Sequence, residues 1–153
     1  MATVSRARTV AAAPDEVWKV LADFGAISAW ARNVDHSCLL EHPAAGVAVG
    51  TARRVQVGRN ALVERIVEIT PPTALEYRIE GLPPRLGRLT NRWTLAPDGP
   101  GRTRVTLTST ARADSGPLAG LAENTICRMV CRMMSRQSDA MLAGLAARVE
   151  GSP

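Results

Sequence analysis

The feature that most constrains the fold is a series of short segments in which apolar and polar residues alternate. Leu75–Glu80 carries Leu, Tyr and Ile at every second position with charged residues between them, and Leu89–Ala96 repeats the pattern. A period of two is typical of a strand that buries one face and exposes the other. The chain is therefore expected to form an antiparallel sheet with one buried face and one solvated face.

The same reasoning predicts seven strands in all, separated by turn residues. Gly58-Arg59-Asn60 closes a hairpin, Pro71-Pro72 interrupts the next segment, and Pro97–Gly101 is rich in turn formers. We find no internal repeat or linker, so 153 residues predict a single domain over 1–153. The predicted strands are Thr3–Ala12, Val34–Glu41, Thr51–Val57, Leu62–Thr70, Leu75–Glu80, Leu89–Ala96 and Arg104–Ala113.

Helical patterns flank the strands. Pro14 followed by two acidic residues predicts the start of a helix over Pro14–Phe24, and Ile27–Trp30 predicts a further helical turn. After Ser115-Gly116-Pro117 the period becomes helical from Leu118 to about Val149. This long helix is expected to carry Arg128, Arg132 and Arg136 on one stripe and, opposite them, Ile126, Val130, Met133, Gln137 and Met141.

Composition narrows the classes of function. The net charge is +5, but the basic residues, all arginine except Lys19, are scattered, so we expect no nucleic-acid binding. No apolar run has the length of a secretory signal or a membrane span, which predicts a cytoplasmic protein that does not span a membrane. The three cysteines lack framework spacing and are expected to be reduced thiols.

The sequence offers few candidates for metal or acid–base chemistry. His36 and His42 flank Cys38, and Cys127 and Cys131 lie one helical turn apart, but neither group supplies a full ligand set. We therefore predict no metal and no cofactor, so that removal of divalent metals leaves folding unchanged. Glu64 and Glu68 share a predicted strand face; a solvated or half-buried face is the simpler interpretation, and acid–base catalysis is the alternative.

Hydrolase and nucleotide-binding functions lose support because the chain has neither a G-x-S-x-G segment nor a glycine-rich phosphate loop.

Polar residues on the predicted buried face of the sheet are the better candidates for a binding site. If Val63, Val67 and Ile69 face the core, Arg65 faces inward as well, and Arg53 shares a face with Val55. A buried guanidinium needs a partner, either a glutamate or a bound carboxylate. Asn91 lies between Leu89 and Trp93 on a buried strand face, where its amide either holds a ligand oxygen or fixes the backbone.

The N-terminal part of the chain resembles a known family. Ala13–Trp18, Asp23–Gly25 and Ser28–Trp30 are similar to the opening of the polyketide cyclase and dehydrase branch of the START-like, or SRPBCC, superfamily. Further segments fall where that branch has similar ones: Gly50–Arg53, Glu64–Val67, Leu75–Ile79 and Gly101–Val105. The resemblance implies an α+β helix-grip fold: a curved seven-stranded antiparallel sheet around a long C-terminal helix, two short N-terminal helices, and an apolar cavity between sheet and helix.

The resemblance implies binding of a hydrophobic or amphipathic small molecule, such as a lipid or polyketide, in that cavity. Two alternatives stay open: a polyketide aromatase/cyclase acting in the same cavity, and a toxin-like or interaction protein of a toxin–antitoxin pair. No catalytic residue is predicted. We expect the mouth of the cavity near Trp30, the loop Gly81–Gly87 and Ile126–Met133. The predicted ligand-binding residues are Trp30, Arg65, Tyr77, Asn91, Trp93, Leu107, Ile126, Val130, Met133, Met134 and Gln137.

The resemblance does not fix the partners. The arginine stripe of the long helix is either a solvated face or a surface for an acidic carrier protein or an anionic lipid membrane. The chain is expected to be a monomer or a homodimer.

Overall fold

Seven antiparallel strands form one sheet in the computed structural model, which describes residues 2–41, 43–82, 87–112 and 125–151. In the last range, side chains are described from Arg128 onward, except that of Val130. The predictions for His42, most of the loop Gly81–Gly87, the first turns of the long helix, and the side chains of Ile126 and Val130 fall outside these residues.

The seven predicted strands are confirmed. They lie side by side in the order β1-β7-β6-β5-β4-β3-β2, so that the first strand pairs with the last. Their bounds are β1 Ala2–Val10, β2 His36–Leu39, β3 Ala52–Val57, β4 Asn60–Thr70, β5 Ala74–Glu80, β6 Arg88–Pro97 and β7 Thr103–Arg112.

The inner face of the sheet carries the apolar positions of the alternating pattern. Leu75 on β5 pairs in register with Trp93 on β6, which pairs with Leu107 on β7, and all three side chains are buried. Because side chains at the same register position lie on the same face of a sheet, the alternation in each strand produces one continuous apolar surface.

Two short helices link β1 to β2. Helix α1 spans Pro14–Ala22 and a 3₁₀ helix spans Phe24–Ala29. Proline in the first turn has no N–H to leave unpaired, and Val17 and Leu21, one turn apart, are buried. These helices pack Phe24 and Ile27 into the same core as the sheet.

The long C-terminal helix, α2 at Thr125–Glu150, runs alongside β1. Arg6 of β1 pairs with Asp139, and Glu150 accepts a hydrogen bond from the backbone N–H of Ala11. From Arg6 to Ala11 the strand rises about 16 Å, and from Asp139 to Glu150 the helix rises by the same amount. The two contacts therefore fit a helix that runs parallel to the strand and in the same direction. The same arithmetic places the part of α2 before Asp139 beside the Ala2 end of β1.

The structure corrects two predicted faces. On β4 the buried residues are Glu64 and Ile66, and Arg65 lies on the outer face, because the register shifts by one residue between Ile66 and Glu68. The predicted inward orientation of Arg65 is therefore wrong. A β-bulge changes which of the two alternating sets of residues faces the core. The prediction used apolar residues at and beyond the bulge, Val67 and Ile69, to decide the face of Arg65, which lies before it.

On α2 the predicted apolar stripe is rotated from the observed one. Met141 is buried as predicted, but Met133 and Gln137 are exposed. On the side that packs on the sheet, Met134, Ser138, Met141 and Leu145 follow a spacing of four, three and four residues, and Leu142 beside Met141 is buried as well.

Candidate functional site

A row of polar side chains crosses the otherwise apolar inner face. Ser109, Asn91 and Tyr77 are direct register partners on β7, β6 and β5, and all three are buried. The Ser109 hydroxyl donates to Oδ1 of Asn91 at 2.6 Å, and Nδ2 of Asn91 lies 3.5 Å from the Tyr77 hydroxyl oxygen. The indole N–H of Trp93 donates to the same oxygen at 3.3 Å. We call Ser109, Asn91 and Tyr77 the polar row.

The Tyr77 hydroxyl accepts both of its hydrogen bonds, and its own proton has no acceptor among the described residues. Burial raises the pKa of this hydroxyl to about 12, and the nearby negative charge of Glu64 acts in the same direction. Tyr77 is thus a neutral hydrogen-bond donor throughout the physiological range and does not act as a base there.

The Tyr77 pKa gives a testable alkaline effect. Between the ordinary pKa of 10.0 and the folded-state value of about 12, the folded chain keeps a proton that the unfolded chain has lost. This contribution to stability is complete below pH 10.0 and is lost as pH rises toward about 12, by about 1.4 kcal/mol per pH unit. Because Tyr77 is the single tyrosine, tyrosinate absorbance reports this group alone.

Urea titrations of the wild type and Tyr77→Phe across this range test the effect, since only the wild type contains the titrating group. Tyrosinate appearing in the folded protein with a midpoint near 10 would contradict it.

A buried ion pair lies beside the polar row. Nε of Arg53 on β3 donates to Glu64 on β4 at 2.9 Å, and Nη1 donates to the carbonyl oxygen of Phe24 at the same distance. The guanidinium carbon lies 3.8 Å from the ring centroid of Phe24 and 4.6 Å from that of Tyr77. Nη2 is buried with no partner in the described residues. The prediction that Arg53 faces inward is confirmed, and of the two partners considered, a glutamate and a bound carboxylate, the structure shows the glutamate.

The inner face becomes accessible at one end of the sheet. Two residues beyond the polar row on each strand, Ile79, Leu89 and Ala111 are direct register partners and are only half-buried. Ala2 of β1 continues this row beside Ala111. We call Ile79, Leu89 and Ala111 the open end of the inner face. Apolar side chains that face inward and still retain exposed surface are what a ligand with an apolar body can cover.

Helix α2 contributes a cavity at the same end of the fold. It has a volume of about 500 Å³, and its described lining consists of Arg128, Met129, Cys131, Arg132 and Ser135. These residues precede Asp139, the partner of Arg6, and so belong to the part of α2 that lies beside the Ala2 end of β1.

The structure divides the predicted ligand-binding residues into three groups. Tyr77 and Leu107 are 0% exposed and Trp93 is 1% exposed, so these three side chains are packed in the core and offer almost no surface to a ligand. Trp30, Met134 and Asn91 are buried with a small exposed fraction, and Trp30 packs edge-on against Trp93 at 5.8 Å between ring centroids. Arg65, Met133 and Gln137 lie on the outer surfaces of the sheet and helix.

Arg65 is held on the outside by two contacts. Its Nε donates to Glu80 at 2.8 Å and its Nη1 donates to the carbonyl oxygen of Gly50 at 3.0 Å. The predicted ligand-binding residues did not include Ile79, Leu89 and Ala111, although the alternation places them on the inner face. The alternation does not show at which end of the sheet the inner face becomes accessible.

Metal and acid–base groups are sparse near the inner face. Among the described residues no group of three His, Cys, Asp or Glu side chains is close enough to hold a metal ion. Glu64 and Glu68 lie on opposite faces; Arg92 binds Glu68 at 2.9 Å and lowers the pKa of its carboxyl.

In the part of the chain that the structure describes, no helix has the length and apolar character needed to cross a membrane.

Comparison with family models places the chain in one family, and comparison with solved structures finds the same fold. The family model described as polyketide cyclase / dehydrase and lipid transport matches residues 1–150. A START superfamily protein from Mycobacterium smegmatis is 18% identical, with a TM-score of 0.77 and 97% of each chain covered. An aromatase/cyclase from a Streptomyces species is 25% identical, with a TM-score of 0.75, covering 97% of this chain and 93% of that one.

A protein from Thermobifida fusca is 26% identical, with a TM-score of 0.76 and the same coverage. A comparison with curated proteins finds no match.

Proposed function

Because this chain belongs to the polyketide cyclase / dehydrase and lipid transport family, we propose that it binds an amphipathic small molecule at the open end of its inner face. The observation that carries the proposal is the change in burial along the strands. Ile79, Leu89 and Ala111 are apolar, face inward and retain exposed surface, whereas the polar row just beyond them is buried.

The polar row supplies a neutral anchor for such a ligand. Asn91 is 8% exposed, and the one hydrogen bond of its amide nitrogen to a described residue is long, at 3.5 Å. An N–H group with so weak a partner is available to a carbonyl or hydroxyl oxygen that reaches the polar row. A molecule with a hydrocarbon or aromatic body against the open end and one carbonyl toward Asn91 satisfies both surfaces.

The charges on the inner face favour binding over catalysis. Glu64 is held by Arg53, and Tyr77 keeps its proton because its pKa is about 12. Among the described residues, the inner face therefore presents no accessible titratable group suited to general-base work near neutral pH.

A pair of matched ligands tests the anchor. 2-Acetylnaphthalene and 2-ethylnaphthalene have the same carbon skeleton and differ in that a carbonyl oxygen of the first is replaced by two hydrogens in the second. Competition against the fluorescence of bound 1-anilinonaphthalene-8-sulfonate measures their affinities. We expect Asn91→Leu to lower the affinity for the ketone by about three- to tenfold, the value of one hydrogen bond, and to leave the hydrocarbon nearly unchanged.

The matched control is Arg65→Met. Its side chain lies on the outer face, so both affinities are expected to stay as in the wild type. An equal loss of both ligands in Asn91→Leu, with folding intact by urea titration, would remove Asn91 from the site. A loss of either ligand in Arg65→Met would restore the sequence prediction that Arg65 contacts ligand.

The aromatase/cyclase function is the second candidate, and one observation favours it. The solved aromatase/cyclase is 25% identical to this chain across nearly the full length of both proteins. Incubation with a linear poly-β-ketone, followed by mass spectrometry and absorbance of aromatic products, separates the two functions. Faster aromatisation than in buffer alone would favour the enzyme; the toxin-like alternative stays a prediction.

A further inference from the structure

We propose that the solvent-facing side of the first half of α2 docks on an anionic lipid surface. This side, which we call the basic face, consists of Arg128, Met129, Arg132, Met133 and Arg136. With 3.6 residues per turn, these five residues lie together on the side of the helix opposite Met134, Ser138 and Met141, the side that packs on the sheet.

The charge of the basic face is of one sign and is not compensated by any residue that the structure describes. From Thr125 to Ser138 the helix contains no acidic residue. The three arginines are exposed, and none of them forms an ion pair with a described residue. The first acidic side chain of the helix, Asp139, is already bound by Arg6 at 2.8 Å. Among the described residues, therefore, no carboxylate competes with an anion for the basic face.

Two apolar side chains project beside these arginines. Met129 is 67% exposed and Met133 is 53% exposed, the highest and third-highest values among the exposed large apolar residues of the described chain. They lie one turn apart, next to the arginine stripe. Basic residues alternating with projecting apolar residues along one helix face are typical of helices that lie in a membrane interface.

A lipid surface fits this face better than an acidic protein does. Met129 and Met133 are both largely exposed, so a protein partner would need matching pockets to bury them. Lipid tails cover flexible, projecting side chains without a preformed pocket, and arginine heads reach the phosphates while their stems stay apolar. Three members of the basic face, Arg128, Met129 and Arg132, also line the cavity together with Cys131 and Ser135, so docking would bring that cavity to the membrane.

Vesicle flotation of the full chain without added ligand tests the proposal. We expect binding to vesicles of phosphatidylcholine containing phosphatidylglycerol, weak binding to phosphatidylcholine alone, and loss of binding at high salt. Arg128→Gln combined with Arg132→Gln is expected to weaken binding about 25-fold, at about fivefold per arginine. Met129→Ser combined with Met133→Ser keeps the charge and is expected to weaken binding roughly tenfold.

The matched control is Arg104→Gln combined with Arg148→Gln, which removes the same charge from exposed positions outside the basic face. This control is expected to change vesicle binding less than fivefold. Equal losses in the two arginine pairs would overturn the proposal, because net charge alone would then explain binding.

Absence of binding to anionic vesicles would overturn it as well, and binding of a soluble acidic carrier protein in its place would assign the basic face to a protein partner. The ligand titrations at Asn91 are independent of vesicles, so either proposal can fail alone.

Discussion

Glu64→Gln is expected to lower the free energy of unfolding by about 3 kcal/mol, the lower end of the range found when one member of a buried ion pair is removed. The Arg53 and Glu64 side chains are 3% and 8% exposed, so the guanidinium left behind is shielded from solvent. The amide oxygen of glutamine can still accept from Nε, and the other contacts are the Phe24 carbonyl and the two aromatic rings, so no negative charge is left beside the guanidinium. Urea titrations of the wild type and variant measure the loss.

Two variants separate the buried charge from other causes. Glu76→Gln removes a carboxylate from the Arg92 cluster on the outer face, where we expect a change within about 0.5 kcal/mol. Arg53→Met combined with Glu64→Leu removes both buried charges and is expected to recover most of the stability lost by Glu64→Gln. If Glu64→Gln is as mild as Glu76→Gln, the pair contributes little to the fold.

The position of this ion pair explains why it matters for the site. Arg53 joins three elements: β3, its neighbour β4 through Glu64, and the 3₁₀ helix through the Phe24 carbonyl. Phe24 in turn packs edge-on against Tyr77, with ring centroids 5.6 Å apart. A charge left unpaired at Arg53 therefore disturbs the packing behind the polar row, and binding at the open end should weaken along with stability.

Alternation predicted the faces of β5, β6 and β7, because each of these strands runs without interruption and each buries one regular set of residues. It failed on β4 for a local reason. The bulge next to Val67 places Ile66 and Ile69 on the same side although they are three residues apart. Sequence alone carries no clear signal for such a bulge, so Arg65 was assigned to the wrong face.

The buried side of α2 could not be predicted from the sequence, for a different reason. Periodicity identified α2, but several neighbouring stripes of this helix are similarly apolar, since methionines occupy positions 129, 133, 134 and 141. Which stripe faces the core is decided by contacts with β1 and with the segment around Trp30. Those contacts link residues more than a hundred positions apart, and no local pattern in the helix contains them.

The candidate site, too, was predicted only in part. The sequence identified Asn91 and Tyr77 as inward-facing polar groups, and the structure adds their hydrogen bonds to Ser109 and Trp93. The sequence could not predict how deeply each of these residues is buried, because inward-facing residues of one strand differ in burial from one end of the strand to the other. Tyr77 and Ile79 have the same pattern, yet only Ile79 retains exposed surface.

Gly144→Ala is expected to lower the free energy of unfolding by about 3 kcal/mol, at the upper end of the range for overpacking. A Cβ at position 144 would overlap the carbonyl oxygen of Trp30 and touch its carbonyl carbon at 3.1 Å. Both are backbone atoms, which cannot rotate away as a side chain would, so helix and loop must separate. The higher helix propensity of alanine, about 1 kcal/mol, acts in the opposite direction and is the smaller effect.

The control for this prediction is Ala147→Gly, at an exposed position one turn further along α2. It changes helix propensity without touching another element, so a loss of about 1 kcal/mol is expected. Because Trp30 packs against Trp93 behind the polar row, Gly144→Ala should also shift the tryptophan emission of the folded protein, whereas Ala147→Gly should not. If Gly144→Ala instead raises the midpoint of thermal unfolding, propensity outweighs the clash, and α2 does not approach Trp30 as closely as the structure shows.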